Sequence, residues 1–157
     1  MNIEIRKGRR EDLPHVLNLI HELAEFEKAP DAVTNNVMDM ERDGFAGHPV
    51  FNFHVAVVEE KIVGIALYFV KYSTWLGKGL YLDDLIVTEK MRGKGIGQKL
   101  FDAFMEEAKR INAKKVHWQV LDWNTPAIDF YEKLNASIEA QWWDCKMTEE
   151  QIRNYKV

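Results

Sequence analysis

A short glycine-rich segment, Arg92-Gly-Lys-Gly-Ile-Gly97, carries the clearest indication of chemistry in this sequence. It follows an apolar, β-prone run and precedes apolar residues at helical spacing, so it joins a strand to the start of a helix. Glycines let the backbone approach an anion, and the first N–H groups and the dipole of a helix favour negative charge. Arg92 and Lys94 add positive charge. This arrangement indicates a phosphate-binding loop.

The loop does not match the two most familiar phosphate-binding patterns. A P-loop requires G-x-x-x-x-G-K-[ST], which is absent from the sequence. A dinucleotide-binding G-x-G-x-x-G motif is broken because Gln98 stands where the last glycine is needed. The spacing by itself also leaves open a glycine-rich turn that binds nothing.

Two acidic residues interrupt the apolar run before the loop. Asp83 is the stronger candidate for a function, because an aspartate inside an apolar strand is costly unless something requires it. Regular alternation predicts that Asp83 and Asp84 point to opposite faces of the sheet. Glu27, at the end of the first predicted helix, is also consistent with a solvated surface charge.

The elements that position these residues form a mixed α/β sheet with helices on both faces, in the order β-α-α-β-β-β-α-β-α-β-β. Asp12 is expected to cap the first helix, which ends near Glu27, and Thr34 to cap the second. The remaining predicted elements are strands at 53–58, 62–71, 79–87 and 115–121, helices after Gly97 and Pro126, and two strands within 137–147.

Composition narrows the possible classes of protein. A chain of 157 residues predicts a single domain over 1–157, and a net charge of −4 does not suggest a nucleic-acid partner. The single cysteine, Cys145, fits a reducing compartment. Without a membrane-length apolar run or the apolar core of a signal peptide, we expect a cytoplasmic protein without a membrane partner. The histidines lack metal-ligand spacing, so no metal is expected.

The motif R-x-x-G-x-G at 92–97 resembles the pyrophosphate loop of the GCN5-related N-acetyltransferases (GNAT), which binds coenzyme A. Further segments resemble the diamine acetyltransferases, the spermidine/spermine N1-acetyltransferase family, and among them the thialysine N-ε-acetyltransferases. The likeness reaches to about Ser137. These segments are Glu22–Glu27, Gly44–Pro49, Tyr72–Trp75, Tyr81–Asp84 and Val120–Asn124 with Phe130-Tyr131.

The resemblance implies the GNAT fold and an N-acetyltransferase that moves the acetyl group of acetyl-CoA to a primary amine of a small cation. That cation is thialysine or a lysine-like amino acid, or a diamine or polyamine. Members of the family are typically homodimers. Two alternatives remain open, which are a protein or peptide N-acetyltransferase and a GNAT module that binds acyl-CoA without turnover.

The resemblance also implies roles for individual residues. Pantetheine and acetyl groups are expected at the backbone of Leu85, Ile86 and Val87. Coenzyme A is further expected at Arg92, Gly93, Lys94, Gly95, Ile96, Gly97, Gln98, Asn124, Pro126, Ala127 and Tyr131. Tyr131 and Asp83 match catalytic positions, and Phe26, Glu27 and Asp83 match contacts to the amine. Trp75 is added as a contact to the amine substrate, because its loop precedes the strand predicted at 79–87 and its ring can pack on an aliphatic chain.

The chemistry of acetyl transfer is consistent with these roles. An alkyl amine has a pKa of about 10.4 and arrives as a cation, which Asp83 and Glu27 can bind and deprotonate. The Tyr131 hydroxyl can protonate the departing thiolate, and the alternative for Tyr131 is packing against Ala127 and Leu134. A backbone N–H, expected at Val87, stabilises charge on the thioester oxygen.

Two departures from the family pattern affect the substrate site. Asp83 stands where polyamine enzymes usually have the longer Glu. After Ser137 the chain is shorter and reads Ile138-Glu-Ala-Gln-Trp-Trp143, with only one of the acidic residues common in that region.

Overall fold

The computed structural model describes residues 1–156, which form two compact units. Met1–Gln119 is the first unit, and the second begins at Val120. The strands are β1 (Glu4–Lys7), β2 (Asn52–Val58), β3 (Lys61–Ser73), β4 (Gly77–Val87) and β5 (Val116–His117). The helices are α1 (Leu13–Phe26), α2 (Val37–Phe45), α3 (Ile96–Arg110), α4 (Thr125–Lys133) and α5 (Glu149–Arg153).

All five strands of the first unit lie in one sheet, in the order β1-β2-β3-β4-β5. The first four pair antiparallel, and β5 pairs parallel to β4. The connection between β4 and β5 therefore crosses over through α3, as a parallel pair requires. The predicted mixed α/β fold is confirmed.

The two faces of the sheet are covered by different helices. One core contains Leu13 and Val16 of α1, Met40 of α2, and Ile65, Leu67 and Ile86 of the sheet. On the other face, the Tyr68 ring lies 5.5 Å from that of Phe104 in α3. Alternation along β3 explains this division, because residues 65 and 67 face one side while residues 66 and 68 face the other.

A β-bulge interrupts β4 in the middle of the strand. Leu82 pairs with Tyr68 and Asp84 pairs with Leu67, so Asp83 is an extra residue with no partner in β3. One extra residue reverses which side chains face which layer from that point onward. Leu82 is therefore on the α3 face, whereas Ile86, four residues later, is on the α1 face.

Four local predictions need correction. The strand expected at 115–121 covers only Val116–His117. The cap of α2 is Asn36 rather than Thr34, since the Asn36 side chain accepts the Asp39 N–H at 3.0 Å. Asp12 precedes α1, but its side chain does not cap the helix. Its carboxylate instead accepts two hydrogen bonds from Arg6 and one from the Arg9 N–H.

The largest correction concerns residues 137–147, where two strands were expected. The structure gives this segment no helix or strand, and every one of its side chains is exposed. Strands need a neighbour to take their backbone hydrogen bonds. No strand is present in the described part of the second unit, so β propensity alone does not form one there.

The second unit contains two helices. Asn124 caps α4, and Asn135 after it has a φ of +58°, the left-handed conformation expected there. The polar tail contains α5, which begins with a capping box between Thr148 and Gln151. None of the helices within residues 1–156 combines the length and the apolar character needed to span a bilayer.

Candidate active site

The glycine loop between β4 and α3 is shaped to receive an anion. Gly93 and Gly95 have φ values of +72° and +78°, a conformation that glycine adopts at little cost. A Cβ placed on either residue would meet no atom within 4 Å, so open space adjoins both. Among the described residues, the backbone N–H groups of residues 93–98 have no protein acceptor. The loop thus presents unpaired donors at the start of a 15-residue helix.

The edge of β4 beside this loop also has unpaired backbone groups. The Thr88 N–H donates to the Val63 carbonyl, which makes 63/88 and 65/86 the hydrogen-bonded pairs of the ladder. The N–H and C=O groups of Leu85 and Val87 therefore point away from β3. They find no strand there, because the pairing of β4 with β5 ends at Tyr81 and His117. Of these four groups, the Val87 carbonyl accepts a hydrogen bond from Arg92 Nε, and the other three are left for a ligand. The register assigns the Ile86 backbone to the ladder rather than to a ligand.

The bulge places Asp83 and Asp84 on the same face of the sheet. Counting from Leu82, whose partner faces α3, Asp83 lies on the α1 face. Asp84 pairs with Leu67, a member of the core under α1, and lies on that face too. The prediction that the two carboxylates point to opposite faces is therefore wrong. It assumed regular alternation, which a bulge breaks.

Three carboxylates influence one another at this place. Burial, together with the negative charges of Asp83 and Glu27, raises the pKa of Asp84 from its ordinary 3.8 to about 7. Burial also raises the pKa values of Asp83 and Glu27. At neutral pH, Asp84 is therefore divided between its charged and neutral forms, which is the range in which a carboxyl exchanges protons most readily.

Helix α1 is fastened to the end of β4 by side chains near its C-terminus. The Glu22 carboxylate accepts hydrogen bonds from the Thr88 hydroxyl at 2.9 Å and the Glu89 N–H at 2.8 Å. Arg92 donates through Nε to the Val87 carbonyl at 2.9 Å, with its guanidinium 5.1 Å from the centre of the Phe26 ring. The structure thus brings Phe26 beside the glycine loop and Glu27 beside the aspartates.

Polar and charged side chains of the loop and of α3 contact neighbouring protein groups. Lys94 lies 3.5 Å from the Met91 sulfur, and the Gln98 amide donates to Asp102 at 2.8 Å. Arg92 uses Nε for the Val87 carbonyl, so its two NH₂ groups remain for an anion beside the backbone N–H groups of the loop. Backbone donors form a rigid cradle, which is the usual arrangement for pyrophosphate at a helix N-terminus.

The other predicted site residues belong to the second unit. The Asn124 side chain accepts the Ala127 N–H at 3.4 Å, with Pro126 in the first turn of α4. Tyr131 lies one turn beyond Ala127 and is 8% exposed, and burial raises the pKa of its hydroxyl to about 12. A phenol with such a pKa is protonated at neutral pH, as a proton donor must be.

Trp75 is not brought together with the predicted acids. It lies in the turn between β3 and β4 and is 90% exposed, whereas Asp83 is six residues beyond the start of β4 at Gly77. At about 3.3 Å per residue, this places the two roughly 20 Å apart along the strand. A substrate contact from Trp75 within the first unit is therefore not supported.

Comparisons with known proteins place the chain in a family. A family model described as Acetyltransferase (GNAT) family matches residues 15–136. The chain is 36% identical to the thialysine N-epsilon-acetyltransferase of Bos taurus over 153 residues, which is 91% of this chain and 90% of that protein. It is 34% identical over 149 residues to the human spermidine/spermine N(1)-acetyltransferase-like protein 1, which covers 88% of this chain and 21% of that protein.

The chain belongs to the GNAT acetyltransferase family. This confirms the resemblance and makes the protein an acyltransferase. A solved integron cassette protein from the mobile metagenome of V. cholerae shows the same fold with a TM-score of 0.78, at 23% identity and with 98% and 96% of the two chains covered.

The residues of this acetyltransferase suit the acetyl-CoA that its family uses. Positive-φ glycines with open space beside them leave room for a pyrophosphate, and the unpaired edge at Leu85 and Val87 offers amide partners for a pantetheine chain. In the described part of the chain, no group of three or more His, Cys, Asp or Glu side chains could hold a metal ion.

Sequence reasoning gave too little weight to Asp84 and passed over Glu22. The pair Asp83-Asp84 was visible in the sequence, but the shared face depends on the bulge. Glu22 looked like any acid on a helix, and only tertiary structure shows that it holds the strand that bears the site. No spacing in the sequence indicates either feature.

The raised pKa of Asp84 leads to a prediction about stability and pH. The folded protein holds this proton more tightly than the unfolded chain, so the contribution is present below about pH 4 and lost as pH rises to about 7. Asp84→Asn removes this dependence. As the pH rises from 5 to 8, wild type should lose about 2 kcal/mol of unfolding free energy that the variant does not lose, after allowance for partial access to water. Urea denaturation at the two pH values measures this.

Asp144→Asn, the same change at an exposed position, is the matched control and should follow wild type. A difference between Asp84→Asn and wild type that stays constant from pH 5 to 8 would contradict the raised pKa of Asp84.

Proposed function

We propose that this acetyltransferase transfers the acetyl group of acetyl-CoA to the primary amine of a small cationic amino acid of the thialysine or lysine type. The observation that carries the proposal is the open glycine cradle next to an unpaired strand edge, with three carboxylates on the adjoining sheet face. The thialysine acetyltransferases, similar over nearly the whole chain, support the amine class. Diamines and polyamines are the second candidate, supported by the spermidine/spermine-like relative.

The proposed binding of acetyl-CoA uses backbone groups. Residues 93–98 hold the pyrophosphate through their N–H groups, assisted by Arg92, and Leu85 and Val87 hold the pantetheine as an additional strand. Asn124, Pro126 and Ala127 are proposed as further contacts to coenzyme A, from the family resemblance. Bound acetyl-CoA supplies a thioester, whose carbonyl oxygen is stabilised by a backbone N–H, proposed at Val87.

The acidic residues bind and deprotonate the amine. An ammonium group has to lose its proton before it can attack a thioester, and a carboxylate of raised pKa is a better proton acceptor than an ordinary one. Asp83 and Glu27 provide negative charge for the cation, and Phe26 adds apolar contact. Asp84, with a pKa of about 7, is suited to receive the proton directly or through water.

Tyr131 is proposed as the proton donor to the departing thiolate. Its hydroxyl is protonated at neutral pH because burial raises its pKa to about 12. A thiol has a pKa of about 8.5, below that of the Tyr131 hydroxyl, so full proton transfer to the free thiolate is uphill by roughly 3.5 pKa units. The hydroxyl therefore acts by donating a hydrogen bond to the sulfur as the C–S bond breaks and negative charge develops, and the proton that the thiolate keeps is restored to Tyr131 from the solvent.

The domain organisation, oligomeric state, location and partners of the protein are part of the same proposal. We propose one catalytic domain over 1–157, since the family model at 15–136 extends into both units. A homodimer in the cytoplasm, without nucleic-acid or membrane partners, is proposed from the family resemblance, the net charge of −4 and the single cysteine. The lack of a metal requirement is part of the proposal as well.

A screen of acceptors tests the function. Purified protein is mixed with acetyl-CoA and, separately, thialysine, lysine, spermidine, putrescine and a peptide with a free N-terminus, and thiol release is followed. We expect the highest kcat/KM with thialysine or lysine. A preference for the peptide would instead indicate a protein N-acetyltransferase, and acetyl-CoA binding without turnover of any amine would indicate a binding module.

Substitution in the glycine loop tests the acetyl-CoA site. Gly95→Ala puts a methyl group at a backbone φ of +78° in the open space of the cradle. Acetyl-CoA affinity, measured by calorimetry, should fall at least about tenfold, or roughly 1.4 kcal/mol. Gly77→Ala is the matched control, because Gly77 also has a positive φ, +97°, but is the first residue of β4, far along the strand from the glycine loop. Equal affinities in the two folded variants would rule out this loop as the pyrophosphate site.

The role of Tyr131 is tested by Tyr131→Phe, which keeps the ring and removes only the hydroxyl. If the hydroxyl protonates the thiolate, kcat should fall by roughly 10²–10⁴, with acetyl-CoA affinity nearly unchanged. Phe130→Leu serves as a packing control on the same helix, since the two rings lie 5.4 Å apart. A kcat within about threefold of wild type, together with a lower Tm, would identify Tyr131 as a packing residue.

A further inference from the structure

A lysine side chain lies on the same sheet face as the two aspartates, beyond a pair of aromatic rings. Lys71 of β3 pairs with Gly79, and its ammonium is 5.0 Å from the centre of the Tyr81 ring. The Tyr81 ring stacks on that of Phe69 at 5.1 Å, and the two residues are cross-strand partners. Since Tyr81 is two residues before Asp83, the aromatic pair separates the lysine from the acids.

These residues form three consecutive rows across the β3–β4 hairpin. The first row is Leu67 and Asp84, with Asp83 as the bulge residue, and the second is Phe69 and Tyr81. The third is Lys71 and Gly79. The surface therefore runs from negative charge, through an aromatic floor, to positive charge. Neighbouring rows on one face are about 7 Å apart.

The Lys71 ammonium is oriented toward this surface and keeps donors for a ligand. It lies 3.3 Å from Nδ1 of His117, and because an ammonium can only donate, Nδ1 accepts. Two of its three N–H donors remain. Among the described residues, no carboxylate lies within 4.0 Å of Lys71, so its charge has no protein counter-ion.

We propose that Lys71 is a specificity-determining residue that binds the α-carboxylate of an amino-acid acceptor whose side-chain amine lies at Asp83 and Asp84. The inference rests on the proposed function and identifies the substrate class more narrowly. In thialysine or lysine, six single bonds of about 1.5 Å separate the reacting nitrogen from the carboxylate carbon, an extended reach of about 7–8 Å. With a hydrogen bond of about 2.9 Å at each end, the total is about 13–14 Å. This length matches the two row spacings of about 7 Å each that separate the acidic row from the row of Lys71.

The same arrangement disfavours a polyamine. A diamine or polyamine of similar length would place its second cation against the Lys71 ammonium, where like charges repel. The aliphatic chain of either substrate can lie on Phe69 and Tyr81, so the aromatic floor does not distinguish them. Since the amino acid also carries an α-ammonium, discrimination then depends on whether the far end of the substrate has a carboxylate beside its cation.

The experiment compares two acceptors that differ only at that end, thialysine and its methyl ester. Lys71→Met keeps the aliphatic stem and removes the charge. We expect its KM for thialysine to rise at least about tenfold, with kcat little changed and with KM for the ester within twofold of wild type. Lys71→Arg, which keeps the charge, should restore most of the affinity for thialysine. Because the Lys71 side chain is exposed, both variants should retain the wild-type Tm.

The outcomes separate the inference from the proposed function. Wild-type turnover of thialysine with an unchanged KM in Lys71→Met would overturn the role of Lys71 and leave the proposed function intact. A wild-type preference for the ester would do the same. A wild-type preference for a diamine would instead overturn the amino-acid acceptor of the proposed function, and the role of Lys71 with it. If the wild-type enzyme acetylates none of these acceptors, the proposed function fails, and the inference fails with it.

Discussion

The single extra residue in β4 is the constraint on which the site depends. With Leu82 held by Tyr68 and Asp84 by Leu67, Asp83 has no partner in β3, and the strand changes faces at that point. The change has two consequences. Both aspartates lie on the α1 face, and the outward N–H and C=O groups of Leu85 and Val87 point toward the side where β5 no longer follows. A regular strand would provide neither the acidic pair nor the open edge in this register.

The contact between α1 and β4 brings a third carboxylate, that of Glu27, close to Asp83 and Asp84. The two hydrogen bonds accepted by Glu22 hold the C-terminal turn of the helix against the end of the strand. Glu27 then adds its charge to those of Asp83 and Asp84, and burial raises the pKa of all three. Concentrating negative charge in this way costs folding energy, as is common where a site is built for a cation. Lys71, on the far side of the aromatic rings, supplies the opposite charge on the same face.

In the glycine loop, the backbone conformation and the basic side chains have separate roles. Its basic side chains contact the protein itself, Arg92 at the Val87 carbonyl and Lys94 at the Met91 sulfur. The backbone N–H groups of residues 93–98 therefore supply the fixed part of the anion site, at the positive-φ glycines and the first turn of α3, and the two NH₂ groups of Arg92 add to it. A loop of this kind requires glycine for conformation and for space at Gly93 and Gly95, and it makes few demands on the side chains between them.

The sequence by itself determined most of the element types and the family. Apolar periodicity, together with the motif at 92–97, indicated a mixed sheet, a phosphate loop and a GNAT enzyme, because these features are encoded locally within a few residues of one another. Only the tertiary structure decided the bulge, since a pair such as Asp83-Asp84 looks the same in a regular strand as in an interrupted one. It also decided the length of β5 and the lack of strands at 137–147, because a strand exists only where another backbone is available to pair with it. The placement of Lys71 beside Tyr81 was likewise beyond the sequence, as it depends on which residues of two strands stand opposite each other.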